Sequence, residues 1–248
     1  LSAYDDLIEN NTRRIGVLEE MARALYRHWF SSPIIQSHWK RDCLSSVARI
    51  QRGRSYKGSE LSEDDGLPFI NLKCIDRDGG FRRSGIKRFQ GPSKTSHHVS
   101  PGDIVVAVTD MTQERRVVAR AGRVPRLDHP HGVFSMDLVR IDPIDPSDRL
   151  WLYGFLRYSG MADEVKQHAN GANVLHLHPD RILSYETWLP PPELRTRYGA
   201  FADPLWECCE SLADSNEGLR AARDLLLPKL LSGELSVDRI PDPAAVVP

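Results

Sequence analysis

Twelve basic side chains fall between Lys73 and Arg126: Lys73, Arg77, Arg82, Arg83, Lys87, Arg88, Lys94, Arg115, Arg116, Arg120, Arg123 and Arg126. Five acidic ones, Asp76, Asp78, Asp103, Asp110 and Glu114, stand against them, so this segment carries +7 in a chain of 248 residues whose net charge is −1. A whole-chain charge near zero argues against a strongly electrostatic nucleic-acid binder; the local concentration argues the other way. Arginine can fork onto guanine edges and lysine can meet phosphates. Lys73, Arg82, Arg83, Lys87, Arg88, Lys94, Arg115, Arg116, Arg120 and Arg123 therefore form the candidate contact set, with Asn170 and Asn173 of the loop Asn170-Gly171-Ala172-Asn173, whose carboxamides can pair with adenine. The adjacent pairs Arg82-Arg83 and Arg115-Arg116 are favoured as base readers, since one fork can enter a groove while its neighbour braces on the backbone. A solvated charged surface is the alternative that composition leaves open.

Other chemistry finds less support. His97-His98, His129-x-His131 and His176-x-His178 have no carboxylate or cysteine partners at metal-binding spacing and read as loop or strand residues. Pro179-Asp180 with Glu186 resembles a metal-dependent nuclease pair, yet Trp188 stands where the lysine belongs, and Asp180 is explained by helix capping. No GxxxxGK[ST] loop is present, and Leu189-Pro190-Pro191-Pro192 does not supply the Asn/Asp-Pro-Pro-aromatic grip of a methyltransferase. The cysteines Cys43, Cys74, Cys208 and Cys209 form no CxxC pair, which points away from zinc and disulfides and suits a reducing cytosol. Nothing approaches an apolar run of ~18 residues, and no charged-then-apolar leader opens the chain, so the expectation is a soluble, cytoplasmic protein without membrane or export signals.

These residues need elements to hold them. PFINLKCI and VFSMDLVRI alternate apolar and polar side chains and DIVVAVT is a continuous apolar run, which predicts three strands. SDRLWLYGFLRYSGMADEVKQHA predicts a helix with Leu150, Leu152, Phe155, Leu156 and Met161 on its apolar face. PDRILSY reads as a short helical piece, and ETWL as a short strand before a proline hinge.

Both ends of the chain carry a different pattern. Tyr4, Ile8, Asn11, Ile15, Leu18, Ala22, Leu25 and Trp29 follow steps of four and three, a heptad seam. At ~1.5 Å per residue the helix would be roughly 40 Å long, more than one face of a small core needs, so it calls for a partner helix. Leu205, Cys209, Leu212, Asn216, Leu219, Arg223, Leu226 and Leu230 repeat the spacing, again with one asparagine. The second helix is expected from about Leu205 to Leu230, started or kinked by Pro204 and stopped by Gly233. The expected seam is Ile8, Asn11, Ile15, Leu18 and Leu25 against Leu212, Asn216, Leu219 and Leu226, pairing antiparallel. Asn11 either fixes register or rotates out to solvent. Tyr26, Trp29 and Phe30 are expected to face outward near the helix end and to attract a partner.

The opening helix, the run SPGDIVVAVTDMT, the run GANVLHLHPDRILSYETWLPPPEL and the ending LRAARDLLLPKLLSGEL together resemble the DNA specificity subunit of type I restriction–modification systems. A complete subunit of that family alternates two target-recognition domains with two spacer helices. This chain resembles its C-terminal half or a naturally half-length version. The resemblance implies an α+β fold with one mixed α/β target-recognition domain flanked by two long helices in an antiparallel coiled coil. The expected division is an N-terminal spacer helix at 1–32, the recognition domain at 33–192, a C-terminal spacer helix at 193–236 and a disordered tail at 237–248. It further implies a non-catalytic subunit whose partners are double-stranded DNA, methyltransferase subunits, a restriction subunit through the complex, and a second copy of itself. S-adenosylmethionine, ATP and magnesium would then belong to partner subunits, with no cofactor on this chain. A coiled-coil interaction scaffold without sequence-specific DNA binding is the alternative.

Overall fold

The computed structural model describes residues 2–235, so the segment expected as a tail, and residue 236 before it, lie outside the described residues. Two compact units are formed, one from the outer parts of both long helices, up to Met21 and from Leu205, and one from Ala22–Pro204.

In the helical unit, the helix Ser2–Phe30 meets the helix Pro192–Leu231. Asp5 pairs with Arg223 at 2.6 Å and the Asn11 amide donates to the Asn216 side-chain oxygen at 3.0 Å, so later residues of one helix meet earlier residues of the other. The pairing is antiparallel, as the seam required. Ile8, Ile15, Leu18, Leu212, Leu219 and Leu226 are all partly covered, whereas most residues between them are exposed. Leu25, in the other unit, is likewise half-buried. Asn11 and Asn216 are only 7% and 3% exposed. The reading in which Asn11 turns to solvent therefore fails: its carboxamide is spent on the one residue in the facing helix that can answer it. Replacing Asn11 alone by leucine should leave Asn216 buried and short of a partner, costing about 1–3 kcal/mol in chemical denaturation, while changing both to leucine should recover most of that loss. A single variant as stable as the double would show that the pair contributes nothing.

The C-terminal helix starts earlier than the heptad spacing, which places it from about Leu205. It begins at Pro192 and continues through Pro204, instead of beginning there. Proline removes one helical hydrogen bond, but Tyr198, Ala202, Trp206 and Cys209 continue one buried stripe past it. Burial along that stripe outweighs the local signal. At the other end Gly233 has φ +77 and its N–H meets the Leu230 carbonyl, a left-handed stop as anticipated.

The second unit is built on two larger sheets, with two-stranded pairs at Lys40–Cys43 with Glu186–Leu189 and at Thr109–Asp110 with Leu175–His176. One larger sheet is antiparallel, in the order Ala48–Arg52, Leu138–Pro143, Ile104–Ala107, Ala121–Arg123. The other is mixed, in the order Leu61–Ser62, Lys87–Phe89, Leu67–Ile70, Gly132–Phe134, His98–Val99. Ile70, Val105, Ala107, Phe134 and Leu138 join a common core, while Phe69, Phe89 and Val133 fill a second cluster. Neighbours Phe69 and Ile70 thus serve different clusters, the two-residue period of a strand covered on both faces.

Three expected elements are interrupted, each by a small polar residue or glycine. The strand read in PFINLKCI stops at Ile70, because the Asn71 side chain accepts from the Lys73 N–H at 2.8 Å and caps the turn Leu72–Cys74. VFSMDLVRI is two strands in two sheets. Its chain turns at Ser135, whose N–H meets the Ile70 carbonyl at 2.9 Å and whose own carbonyl accepts from Leu138 at 3.0 Å. The helix predicted over SDRLWLYGFLRYSGMADEVKQHA is likewise split into Arg149–Tyr158 and Met161–Val165 by Gly160, with φ +85. PDRILSY and ETWL form the helical turn Asp180–Leu183 and the strand Glu186–Leu189 as read.

Tyr26 and Phe30 do not face outward. They are 4% and 3% exposed, packed on Tyr198 at ring distances of 6.0 and 5.1 Å. Trp29 is half-covered by Tyr198 and Phe201. The aromatic end of the helix is anchoring structure, and a partner would have to meet other residues.

Candidate nucleic-acid interface

The buried strand Ile104–Ala107 carries the chain to Asp110, and the strand Ala121–Arg123 brings it back antiparallel. Between them lies a loop whose tip contains Arg115 and Arg116. Its anchor is Asp110, only 3% exposed. One carboxylate oxygen accepts from the Thr112 N–H and hydroxyl, each at 2.8 Å, and the other from the Val117 N–H at 2.9 Å. Burial alone would raise the Asp110 pKa, but these hydrogen bonds outweigh it and hold the carboxyl below its ordinary value. Arg115 at φ +54 and Ala119 at φ +64 are non-glycine residues in the left-handed region, so the loop is held in a conformation its sequence does not favour locally.

Asp110→Ala should free this loop. The expected outcome is trypsin cleavage at Arg115 and Arg116 many-fold faster than in the parent and a loss of about 1–3 kcal/mol of stability, with far-ultraviolet dichroism retained. Because the folded-state carboxyl titrates below its unfolded value, the anchoring is complete at neutral pH and fades only as pH falls below the ordinary carboxylate range near ~4. Equal proteolysis of variant and parent would remove Asp110 as the anchor.

Two further segments lie against the loop. Gln113 donates to the carbonyls of Gly171 and Ala172 at 3.3 and 3.0 Å, and Leu175–His176 pairs with Thr109–Asp110, which brings the segment holding Asn170 and Asn173 against the loop; the Asn170 amide itself donates to the His168 carbonyl at 2.9 Å. Arg115 also reaches Gln167 at 3.1 Å. On the other side stand the turn holding Lys73 and the turn Asp76–Gly80, where Gly79 and Gly80 adopt φ +80 and +96. Arg82 donates through Nε to the Lys73 carbonyl at 2.9 Å. A Cβ at Gly85 would sit 2.4 Å from that same carbonyl, so only glycine fits there.

A cleft of about 380 Å³ opens between these segments, and Lys73, Arg77, Arg82 and Arg116 line it together with Tyr56 and Met111. Its carboxylates include Asp110, bonded as described, and Asp137, which accepts from Thr109 and Ser135 at 3.1 and 3.2 Å. Met111 is 68% exposed.

The remaining candidates lie elsewhere. Arg88 is bound in a fork to Asp128 at 3.0 and 2.5 Å, and Arg120 to Asp163 at 3.5 and 2.7 Å, so both guanidiniums are engaged. Lys87 and Lys94 are exposed in and beside the mixed sheet, Arg83 is half-buried in a short turn, and Arg123 is half-buried in its strand. Arg77 belongs to the basic run but not to the candidate contact set; its flanking Asp-Arg-Asp-Gly-Gly is a turn signal that places a charge at a loop tip. Among the described residues, no group of His, Cys, Asp and Glu gathers to hold a metal; His98 and His131 stack at 4.2 Å. Nor is any helix among them long and apolar enough to cross a membrane.

No family model matches the chain. Over 97% of its length it is 23% identical to the type I restriction enzyme MjaIX specificity subunit of Methanocaldococcus jannaschii. The chain is similar to a type I specificity subunit. The fold agrees: the S subunit of a type I restriction–modification system from M. genitalium superposes with a TM-score of 0.62 at 16% identity, over 92% of this chain. The HsdS subunit from Thermoanaerobacter tengcongensis is matched over 94% of this chain with a TM-score of 0.48 and 19% identity. The chain spans 58% of the length of the specificity subunit from M. jannaschii and 58% of the S subunit from M. genitalium. The resemblance read from the terminal helices and from SPGDIVVAVTDMT is thus met by both sequence and fold.

Proposed function

We propose that the chain is a non-catalytic DNA-recognition unit that reads one half of a bipartite target and docks methyltransferase subunits through its paired helices. The observation that carries this reading is the cleft in which Lys73, Arg77, Arg82 and Arg116 converge from separate loops. Basic groups from separate loops can divide the work, some positioning the protein on phosphates and others reading base edges. Likeness to specificity subunits supplies the biological setting, in which partner subunits hold S-adenosylmethionine, ATP and magnesium and carry out the chemistry.

The test is a titration of duplex DNA with the chain assembled with a methyltransferase partner. A preferred site and a steep fall of affinity with salt are the expected results. Equal, salt-insensitive binding to all sequences, with the assembly intact, would leave a helical scaffold as the better description.

A further inference from the structure

The charges of the basic cleft have work assigned to them, but its one exposed apolar side chain has none. Of the apolar residues that line the cleft, Tyr56, Leu72, Ile75 and Val117 are buried or half-buried, whereas Met111 is 68% exposed. Its exposed neighbours in the lining include Lys73, Arg77, Arg82 and Arg116. A large apolar group left in water among charges calls for an explanation. Fraying does not supply one, because the backbone is held on both sides of Met111. Asp110 before it pairs with Leu175 across a two-stranded ladder, and the Thr112 N–H after it donates to the Asp110 carboxylate at 2.8 Å. The thioether therefore projects from a fixed point into the space where the basic groups meet.

We infer that Met111 reads the 5-methyl group of a thymine in the major groove. The inference rests on the DNA-recognition reading of this cleft and adds to it a base and a chemical group. Among the base edges of the major groove, the thymine methyl is the apolar one. Arginine and lysine, which only donate hydrogen bonds, cannot distinguish it. An unbranched, polarizable side chain can fit itself around a methyl, and contact between the two removes apolar surface of both from water. An apolar residue can also act on DNA as a wedge between base steps, but wedges enter from the minor groove. The forked donors beside Met111, Arg82 and Arg116, match guanine edges in the major groove.

The test uses the chain assembled with a methyltransferase partner and its preferred duplex, each thymine of which is replaced in turn by deoxyuridine. That exchange removes the methyl and leaves every hydrogen-bonding group of the base in place. At one position the parent should lose affinity by about three- to tenfold. Met111→Ala should bind the thymine and uracil duplexes equally, and Met111→Leu should keep a difference between them. Met136→Ala changes a side chain that is 53% exposed but does not line the cleft, and should respond to uracil as the parent does. Both positions lie at the surface, where substitution leaves folding intact. The inference is overturned if no thymine of the preferred duplex responds in the parent, or if Met111→Ala keeps the full response. Weaker binding of Met111→Ala to every duplex with the uracil response retained would mark a wedge and overturn it too. A parent that keeps its preferred sequence but ignores uracil defeats this inference alone; a parent with no preferred sequence defeats the DNA-recognition reading and this inference with it.

Discussion

Arg195→Met should destabilise the second unit by about 3–5 kcal/mol, the cost of leaving one member of a buried ion pair alone. Arg195 and Asp148 lie 3.0 Å apart with side chains only 9% and 4% exposed. Burial pushes the Asp148 carboxyl above its ordinary value, and the nearby guanidinium only partly offsets that. The pair is poorly satisfied, since Asp148 Oδ1 and Arg195 Nε have no hydrogen-bond partner. Arg195 also lies over the Trp151 ring at 5.1 Å, so its replacement should retain the packing of a long side chain. The double variant Arg195→Met/Asp148→Leu should recover most of the loss, because an apolar pair of similar volume commonly matches a buried ion pair. Thermal and urea denaturation of the four proteins in the cycle decide it. A double variant no better than the single would mean that the pair supplies specific structure beyond its charges.

The same residues mark what sequence could and could not convey. A heptad seam is local and periodic, so Ile8, Asn11, Ile15 and Leu18 could be placed on one face from spacing alone. That Asn11 meets Asn216 follows only if both polar positions are matched in register across 205 residues. The strand at DIVVAVT was legible because a continuous apolar run in that length has few other solutions. The breaks at Asn71, Ser135 and Gly160 were not, since each depends on a hydrogen bond or backbone angle that competes with an otherwise good periodic pattern. Tyr26 and Phe30 were read as exposed because nothing near them in sequence announces Tyr198.

The basic run was legible as composition but not as a surface. Arg88 and Arg120 are bound in forks to Asp128 and Asp163, 40 and 43 residues away in sequence, whereas Arg82 gives its Nε to the Lys73 carbonyl and Arg116 lies 3.9 Å from the neighbouring Glu114. Charge counting treats all four alike, whereas folding turns two forks onto carboxylates and brings the other two to the cleft. The convergence of the loops is likewise tertiary: Asp110 anchors the loop that carries Arg116, and Arg82 bonds back to the Lys73 carbonyl.

That division gives the largest expected effect on function. With the chain assembled with a methyltransferase partner, alanine at Lys73, Arg77, Arg82 and Arg116 together should weaken binding to the preferred DNA by on the order of a thousandfold or more. The individual variants should separate into two kinds. Loss of a phosphate contact lowers affinity for every sequence alike and reduces the log–log salt slope by about one. Loss of a base contact costs ~1–3 kcal/mol on the preferred site and leaves non-specific binding nearly intact. Arg82 and Arg116 are the expected base readers, because a forked donor is needed for bidentate pairing, and Lys73 is the expected phosphate contact. Arg88→Ala and Arg120→Ala are the internal controls: each breaks an ion pair with a partly exposed partner, which should cost about 0–1 kcal/mol of stability and leave site preference unchanged. If the two controls instead abolish site preference while the four cleft variants keep it, the reading face lies at Arg88 and Arg120, and their carboxylate partners would then be latches that DNA must displace.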